Sequence, residues 1–267
     1  MPAFYCWFFL LSNPLLICEQ QLSCTSQLTY GDCGPVRTAT TIGGDTVWVS
    51  ILLKGVDLEE AETAHLILNC ALIDKEKRIL LKLPEKELDI TPHFGGDQIP
   101  MSLKLDVPEL LPAGIYEIVT KIVDKRSGKR TSSNLELKVD DPLGGIHERK
   151  LSVSYDRDGR VPIYSTQSIG QPLFFKCEFV GVKLVNEEID LEARIELIDS
   201  KSQVTCVQLK PVVIKQEIEG ELPPIFLTLD ELFANRSGKF EWKMTVIDHK
   251  HKIVREVIVP LSVYSAR

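Results

Sequence analysis

The chain has 267 residues, with 31 basic against 38 acidic side chains and a net charge of −7; 44% of it is hydrophobic and 26% charged. That length accommodates two domains, and the apolar content is that of a chain that buries a core. Basic residues outnumber acidic ones in neither half, so there is no surplus to neutralise phosphates, which argues against nucleic acid as a partner.

Ala3 to Ile17 is almost wholly apolar, interrupted by Ser12, Asn13 and Pro14. Such a run is short for a bilayer span and suits the apolar region of a secretory signal. No Lys or Arg precedes it; the first is Arg37. Residues 1–25 are therefore expected to be a signal peptide or leader. A retained anchor and lipid attachment at Cys18 or Cys24 are the alternatives. Export would place the protein outside the cell or in the envelope or periplasm, with membrane contact only through a retained leader.

After the leader the chain states one pattern twice. Leu28-Thr29-Tyr30 answers to Val153-Ser154-Tyr155, and Ile42-Gly43 to Ile169-Gly170. The alternating run Val47, Val49, Ile51, Leu53 answers to Phe175, Cys177 and Phe179. Leu66 to Asp74 matches Leu191 to Asp199. Ala113-Gly114-Ile115-Tyr116, ending at Asp124, matches Ser237-Gly238-Lys239-Phe240, ending at Asp248. Leu135, Leu137 and Val139 answer to Val259, Leu261 and Val263. The landmarks keep their order at an offset of about 125 residues, drifting only as loop insertions allow. This is a duplication of a unit large enough to bury its own core.

Side chains alternate across a strand, so Tyr116, Ile118, Thr120 and Ile122 share a face, as do Phe240, Trp242, Met244 and Val246. About seven such strands per unit, separated by turn chemistry, predict an all-β protein of two tandem immunoglobulin-like antiparallel sandwiches. The boundaries expected are 26–140, a linker at 141–150 containing Pro142, Gly144 and Gly145, and 151–265. Leu58–Glu62 and Leu229–Phe233 are each expected to form one helical turn. Leu110 to Tyr116 resembles the corner before strand F of immunoglobulin-like domains, where a tyrosine hydroxyl ties the corner to the backbone. Phe240 in the second copy lacks that hydroxyl.

The candidate chemistry is sparse. Asp156-Arg157-Asp158-Gly159 and Asp140-Asp141 lack the further carboxylates of a calcium loop and read as turns. His249 and His251 flank a lysine, which would repel a cation. There is no Cys-x-x-Cys pair, Gly-x-Ser-x-Gly elbow or phosphate loop. No catalytic residue, metal or cofactor is assigned. A leader cut near residue 25 would leave Cys33, Cys70, Cys177 and Cys206, of which Cys177 and Cys206 are the candidate disulfide; small buried hydrophobes are the plainer reading of Cys70 and Cys177. Lys125 to Arg130 reads as a solvated hairpin tip. Asn235-Arg236-Ser237 fits a glycosylation sequon. Trp48, Trp242 and Tyr116 read as core rather than sugar platforms. The loop around His93, Phe94 and Asp97 exposes an aromatic between turn formers and is the candidate interaction loop.

On Ile42-Gly43, Gly114-Ile115-Tyr116, Ile169-Gly170 and Gly238-Lys239-Phe240, residues 26–265 resemble a family of exported planctomycete proteins with tandem immunoglobulin-like repeats and no assigned activity. The reading that follows is a non-enzymatic exported binding, adhesion or cell-envelope structural protein, whose partner is an envelope protein or glycan. A carbohydrate-binding module is the alternative. An unrecognised hydrolase stands behind it and requires a deep, carboxylate- or histidine-lined cleft at the junction of the domains.

Overall fold

The computed structural model describes residues 21–56, 58, 63–92, 98–163, 166–219, 222 and 225–265. The first half contains β1 (Ser23–Thr29), β2 (Thr40–Ile42), β3 (Thr46–Lys54), β4 (Ala64–Ile73), β5 (Ile79–Lys82), β6 (Lys86–Ile90), β7 (Gln98–Asp106), β8 (Gly114–Asp124) and β9 (Arg130–Asp140). After a 3-10 turn, Pro142–Gly144, follow β10 (His147–Ser154), β11 (Thr166–Ser168), β12 (Pro172–Val180), β13 (Glu188–Asp199), β14 (Val204–Gln208), β15 (Val212–Glu217), β16 (Ile225–Phe233), β17 (Gly238–Asp248) and β18 (Ile253–Tyr264). Among the described residues no helix is long and apolar enough to cross a membrane.

The two halves are built alike. Each has a three-stranded sheet, β1-β3-β7 or β10-β12-β16. Each has a six-stranded one, β2-β9-β8-β4-β5 with β6 also on β4, or β11-β18-β17-β13-β14 with β15 also on β13. The pairings are antiparallel except that β2 runs parallel to β9 and β11 to β18. Even the register repeats: Cys70 faces Thr120 across β4 and β8, and Ile195 faces Met244 across β13 and β17.

Period-two alternation decides which side chains are inside. In β4 every second residue from Ala64 to Leu72 is buried, and β3 buries Val47, Val49, Ile51 and Leu53 between its two neighbours. The buried residues form two clusters. One is drawn from β1–β9; the other is drawn from the second half together with Tyr30 and Ile146. In the second, Trp242 stacks face to face on Phe175, with centroids 3.9 Å apart. Trp242 and Tyr116 are thus core residues, and Trp48 is half-buried.

The aspartates that close the strands start turns in both copies. Asp124 Oδ1 accepts from the Arg126 amide, Asp248 Oδ1 from the Lys250 and His251 amides, and Asp74 and Asp199 act likewise. At the corner, the Tyr116 hydroxyl donates to the Pro112 carbonyl at 2.7 Å.

Several expectations are corrected. Among the described residues each half has nine strands rather than about seven, and the fourth strand of each unit pairs two short strands along one edge. Leu229–Phe233 is not a helical turn: it continues β16, where Leu229 pairs with Phe175 and Phe233 with Pro172. Residues 147–150, expected as linker, already belong to β10. At the other end β1 begins at Ser23 and Leu22 is buried, so a cut near residue 25 would remove part of the first core.

Candidate functional site

The junction between the sandwiches concentrates the buried charge of the molecule. It starts from the turn Ile42-Gly43-Gly44-Asp45. Gly44 sits at φ +77, where side chains are disfavoured, and a Cβ there would meet the Arg149 guanidinium at 2.9 Å. That turn carries Asp45 inward until it is 1% exposed. Its Oδ2 accepts from Arg37 Nη2 (2.9 Å) and Thr41 Oγ1 (2.7 Å). Its Oδ1 accepts from the amides of Thr46 and Lys150, both at 2.7 Å. The Lys150 amide comes from the second sandwich. It is offered there by an irregularity in β10 between Arg149 and Ser152, with Lys150 at φ 52.

The neighbouring charges are engaged as well. Arg37 also donates to the carbonyls of Thr40 and Thr46 and lies over the Tyr30 ring, 5.1 Å from its centroid. Arg149 donates to Glu178 at 2.6 Å, which holds that carboxyl below its usual range, and Lys150 Nζ lies 3.3 Å from its other oxygen. Arg255 grips Glu148 with two bonds of 2.8 and 3.0 Å. Burial pushes the Tyr30 phenol up to about 12. Burial, with Arg255 close by, pulls the His147 imidazole down, and its Nε2 has no hydrogen-bond partner among the described residues.

A depression of about 340 Å³ opens here, lined by Tyr30, Lys138, Asp140, Glu148 and Arg255 among others. Its buried carboxylate, Glu148, is committed to Arg255, and Asp140 is paired with Lys138 at 2.8 Å. Glu148 and Arg255 both belong to the second half and Lys138 and Asp140 to the first, so each carboxylate lining the depression is ion-paired within its own half.

The residues singled out in the sequence fall elsewhere. His93, Phe94 and Asp97 lie outside the described residues. Cys177 and Cys206 are both free, and the expected bridge is not formed. They belong to opposite sheets: Cys177 is buried on β12, while Cys206 is exposed on β14, with Arg236 Nη2 3.0 Å from its sulfur. Cys24, Cys33 and Cys70 are free too. Asp156 accepts from the Arg160 and Val161 amides, as an ordinary turn does. Asp141 caps the 3-10 turn through the Leu143 amide. Among the described residues no three His, Cys, Asp or Glu side chains converge as a metal site would. In the basic hairpin Lys125 pairs with Glu87 and Arg126 binds the Leu58 carbonyl. Asn235 is exposed.

Sequence reasoning missed Asp45, Lys150 and the Glu148–Arg255 pair. One signal was present. The turn after Ile42-Gly43 departs from the repeat, since the second copy continues Ile169-Gly170-Gln171-Pro172 and has no aspartate at that place.

No protein-family model matches the sequence, and no curated protein sequence matches it. Among solved structures, the chain is similar to Escherichia coli alpha-2-macroglobulin activated by porcine elastase, at 10% identity and a TM-score of 0.32. That match covers 92% of this chain and 22% of the other, so the chain spans about a fifth of that protein's length. The native conformation of the E. coli protein matches at 10% identity and a TM-score of 0.30, over 92% of this chain and 14% of that one. The sporulation control protein Spo0M of Bacillus subtilis matches at 14% identity and a TM-score of 0.31, over 73% of this chain and 91% of that one.

Proposed function

We propose that this chain is a non-enzymatic binding, adhesion or cell-envelope structural protein, exported by its apolar leader and carrying its contacts on sheet faces and loops. The observation that supports this most is the junction, where Asp45, Glu148 and Glu178 are consumed by structural partners rather than held free for proton transfer. The apolar run from Ala3 to Ile17 supports the export half of the reading. The partner is a protein of the cell envelope. Burial of Trp242 and Tyr116 removes two of the three aromatics on which a glycan platform would have rested.

The test has two parts. Cells expressing the full chain with a C-terminal tag are fractionated, and the protein is expected outside the cytoplasm; a wholly cytoplasmic pool refutes export. The purified chain, immobilised, is then offered envelope extract and a glycan array. Saturable recovery of one envelope protein supports the reading, and selective glycan binding replaces it with the carbohydrate-module alternative. Neither signal refutes a binding role.

A further inference from the structure

The outward face of the larger sheet differs between the two copies, although the backbone register is the same. In the first sandwich, Val119 on β8 faces Ala71 on β4, which faces Lys82 on β5; in the next row Ile73 faces Ile79. In the second, the corresponding rows read Lys243, Glu196 and Gln208, then Ile198 and Thr205. Long polar side chains cover the sheet there, and Lys243 is tied to Glu256 at 2.7 Å. Where the first copy has alanine and valine, the same face sinks into an open groove of about 430 Å³.

The floor of that groove is apolar, made by Ala71, Ile73, Val119 and Ile79, the last being 61% exposed. Its rim is cationic. Lys77 is paired with Glu117, but Lys82 and Lys121 are exposed, and among the described residues neither ammonium has an ion pair. Lys77, Lys82 and Lys121 outnumber the two carboxylates that border the groove, Glu117 on Lys77 and Glu85 on Asn69, so the rim is cationic on a chain of net charge −7. They favour an acidic occupant and disfavour a second copy of this acidic chain. The groove also ends at β5, a four-residue strand at the edge of its sheet order. An edge strand offers unpaired backbone groups to an extended segment, and that favours a peptide over a compact small molecule.

We propose that this groove is the docking site for an extended segment of another protein that carries apolar and acidic side chains together on one face. Apolar side chains lie on Ala71, Ile73, Ile79 and Val119, and carboxylates meet Lys82 and Lys121. The proposal rests on the binding-module reading and names the site at which that binding occurs.

The test uses the full chain and two labelled peptides, one of repeated Val-Ser-Glu-Ser, which puts Val and Glu on one face when extended, the other of repeated Val-Ser-Lys-Ser, read by fluorescence anisotropy. The acidic peptide is expected to bind saturably and at least about tenfold more tightly than the basic one. Lys82→Glu with Lys121→Glu is expected to reverse that order. Ala71→Glu with Val119→Lys copies the second sandwich onto the first, and is expected to abolish binding while leaving the circular dichroism spectrum and melting temperature unchanged. Equal binding of both peptides, no saturable binding of either, or indifference to both double variants overturns the proposal. So does sedimentation showing a dimer that Ala71→Glu with Val119→Lys dissociates, or displacement of the peptide by dodecanoate alone. If that variant still recovers the envelope protein undiminished, this site is wrong and the binding reading survives. Absence of any envelope partner for the unaltered chain sinks the broader reading instead.

Discussion

Asp45→Ala tests the junction most directly. The side chain is 1% exposed and takes four donors, and Arg37 opposite it is itself 3% exposed in its side chain. Removing one partner of a buried ion pair leaves the other charge uncompensated, at a cost of about 3–5 kcal/mol. The amides of Thr46 and Lys150 lose their acceptor in the same step, but that loss is not additive with the first. Arg37 also keeps its two carbonyl acceptors, which favours the lower half of the range. The expected loss is about 3–4 kcal/mol, or roughly 12–16 °C in melting temperature for a unit of about 115 residues.

The Lys150 amide gives the experiment a second readout. It is a direct hydrogen bond between the sandwiches, so its loss weakens their coupling. Scanning calorimetry of the variant is expected to show two transitions, the first-sandwich one lowered more. Asp45→Asn keeps Oδ1 for the two amides but turns an NH2 toward the Arg37 and Thr41 donors, so it should lower stability while keeping the bond across the junction and a single transition. If Asp45→Ala costs less than about 1 kcal/mol and melts with an unchanged profile, then Asp45 neither neutralises Arg37 nor couples the halves. The account of the junction then fails.

Three further outcomes follow from the same structure. Tyr116→Phe keeps the ring and removes the bond to Pro112, so urea titration should show a loss of about 1 kcal/mol; no change would mean the corner does not depend on it. Lys252 occupies the left-handed region at φ 58, where the first copy has Gly128 at φ 68. Lys252→Gly therefore relieves about 1 kcal/mol of strain, less the entropy glycine adds to the unfolded chain. A gain of a few tenths of a kcal/mol is expected in urea, and a clear loss would refute the strain argument. On the acid side, burial lowers the folded His147 value below 6.5, so its contribution is complete above that pH and fades as pH falls. The Arg149 bond lowers Glu178, so its contribution holds above about pH 4.5 and fades below, as pH passes its folded value. Melting temperature should fall in two limbs on acidification, the upper one missing in His147→Phe.

The fold was legible wherever local rules decide structure. Alternation placed Tyr116, Ile118, Thr120 and Ile122 on one face, and all four are buried. The turn aspartates and the tyrosine corner are short-range chemistry, readable from a few neighbouring residues. What failed was long-range. Leu229, Leu232 and Phe233 have helical spacing, but pairing with β12 overrides it. Cys177 and Cys206 lie within one repeat, yet the fold sends them to opposite sheets. Asp45 and Lys150 meet across the junction, and no period or motif announces a contact of that separation.

The duplication itself supplies the missing signal. Two copies of one fold share the constraints of that fold, so positions where both agree report mainly packing and turns. Asp124 and Asp248 agree, as do the faces of β8 and β17. A position where the copies disagree at the same register has been released from that common constraint. Some disagreements are compensated locally: Phe240 lacks the hydroxyl of Tyr116, and Arg236 lies over its ring, 5.4 Å from the centroid. Others have no local compensation. Asp45 has no counterpart because only one turn faces the other sandwich. Ala71 and Val119 are opposed by Glu196 and Lys243, long polar side chains at the same register of the other copy. Neither Asp45 nor the groove has a counterpart in the other copy, so neither follows from the packing and turn rules that the two sandwiches share.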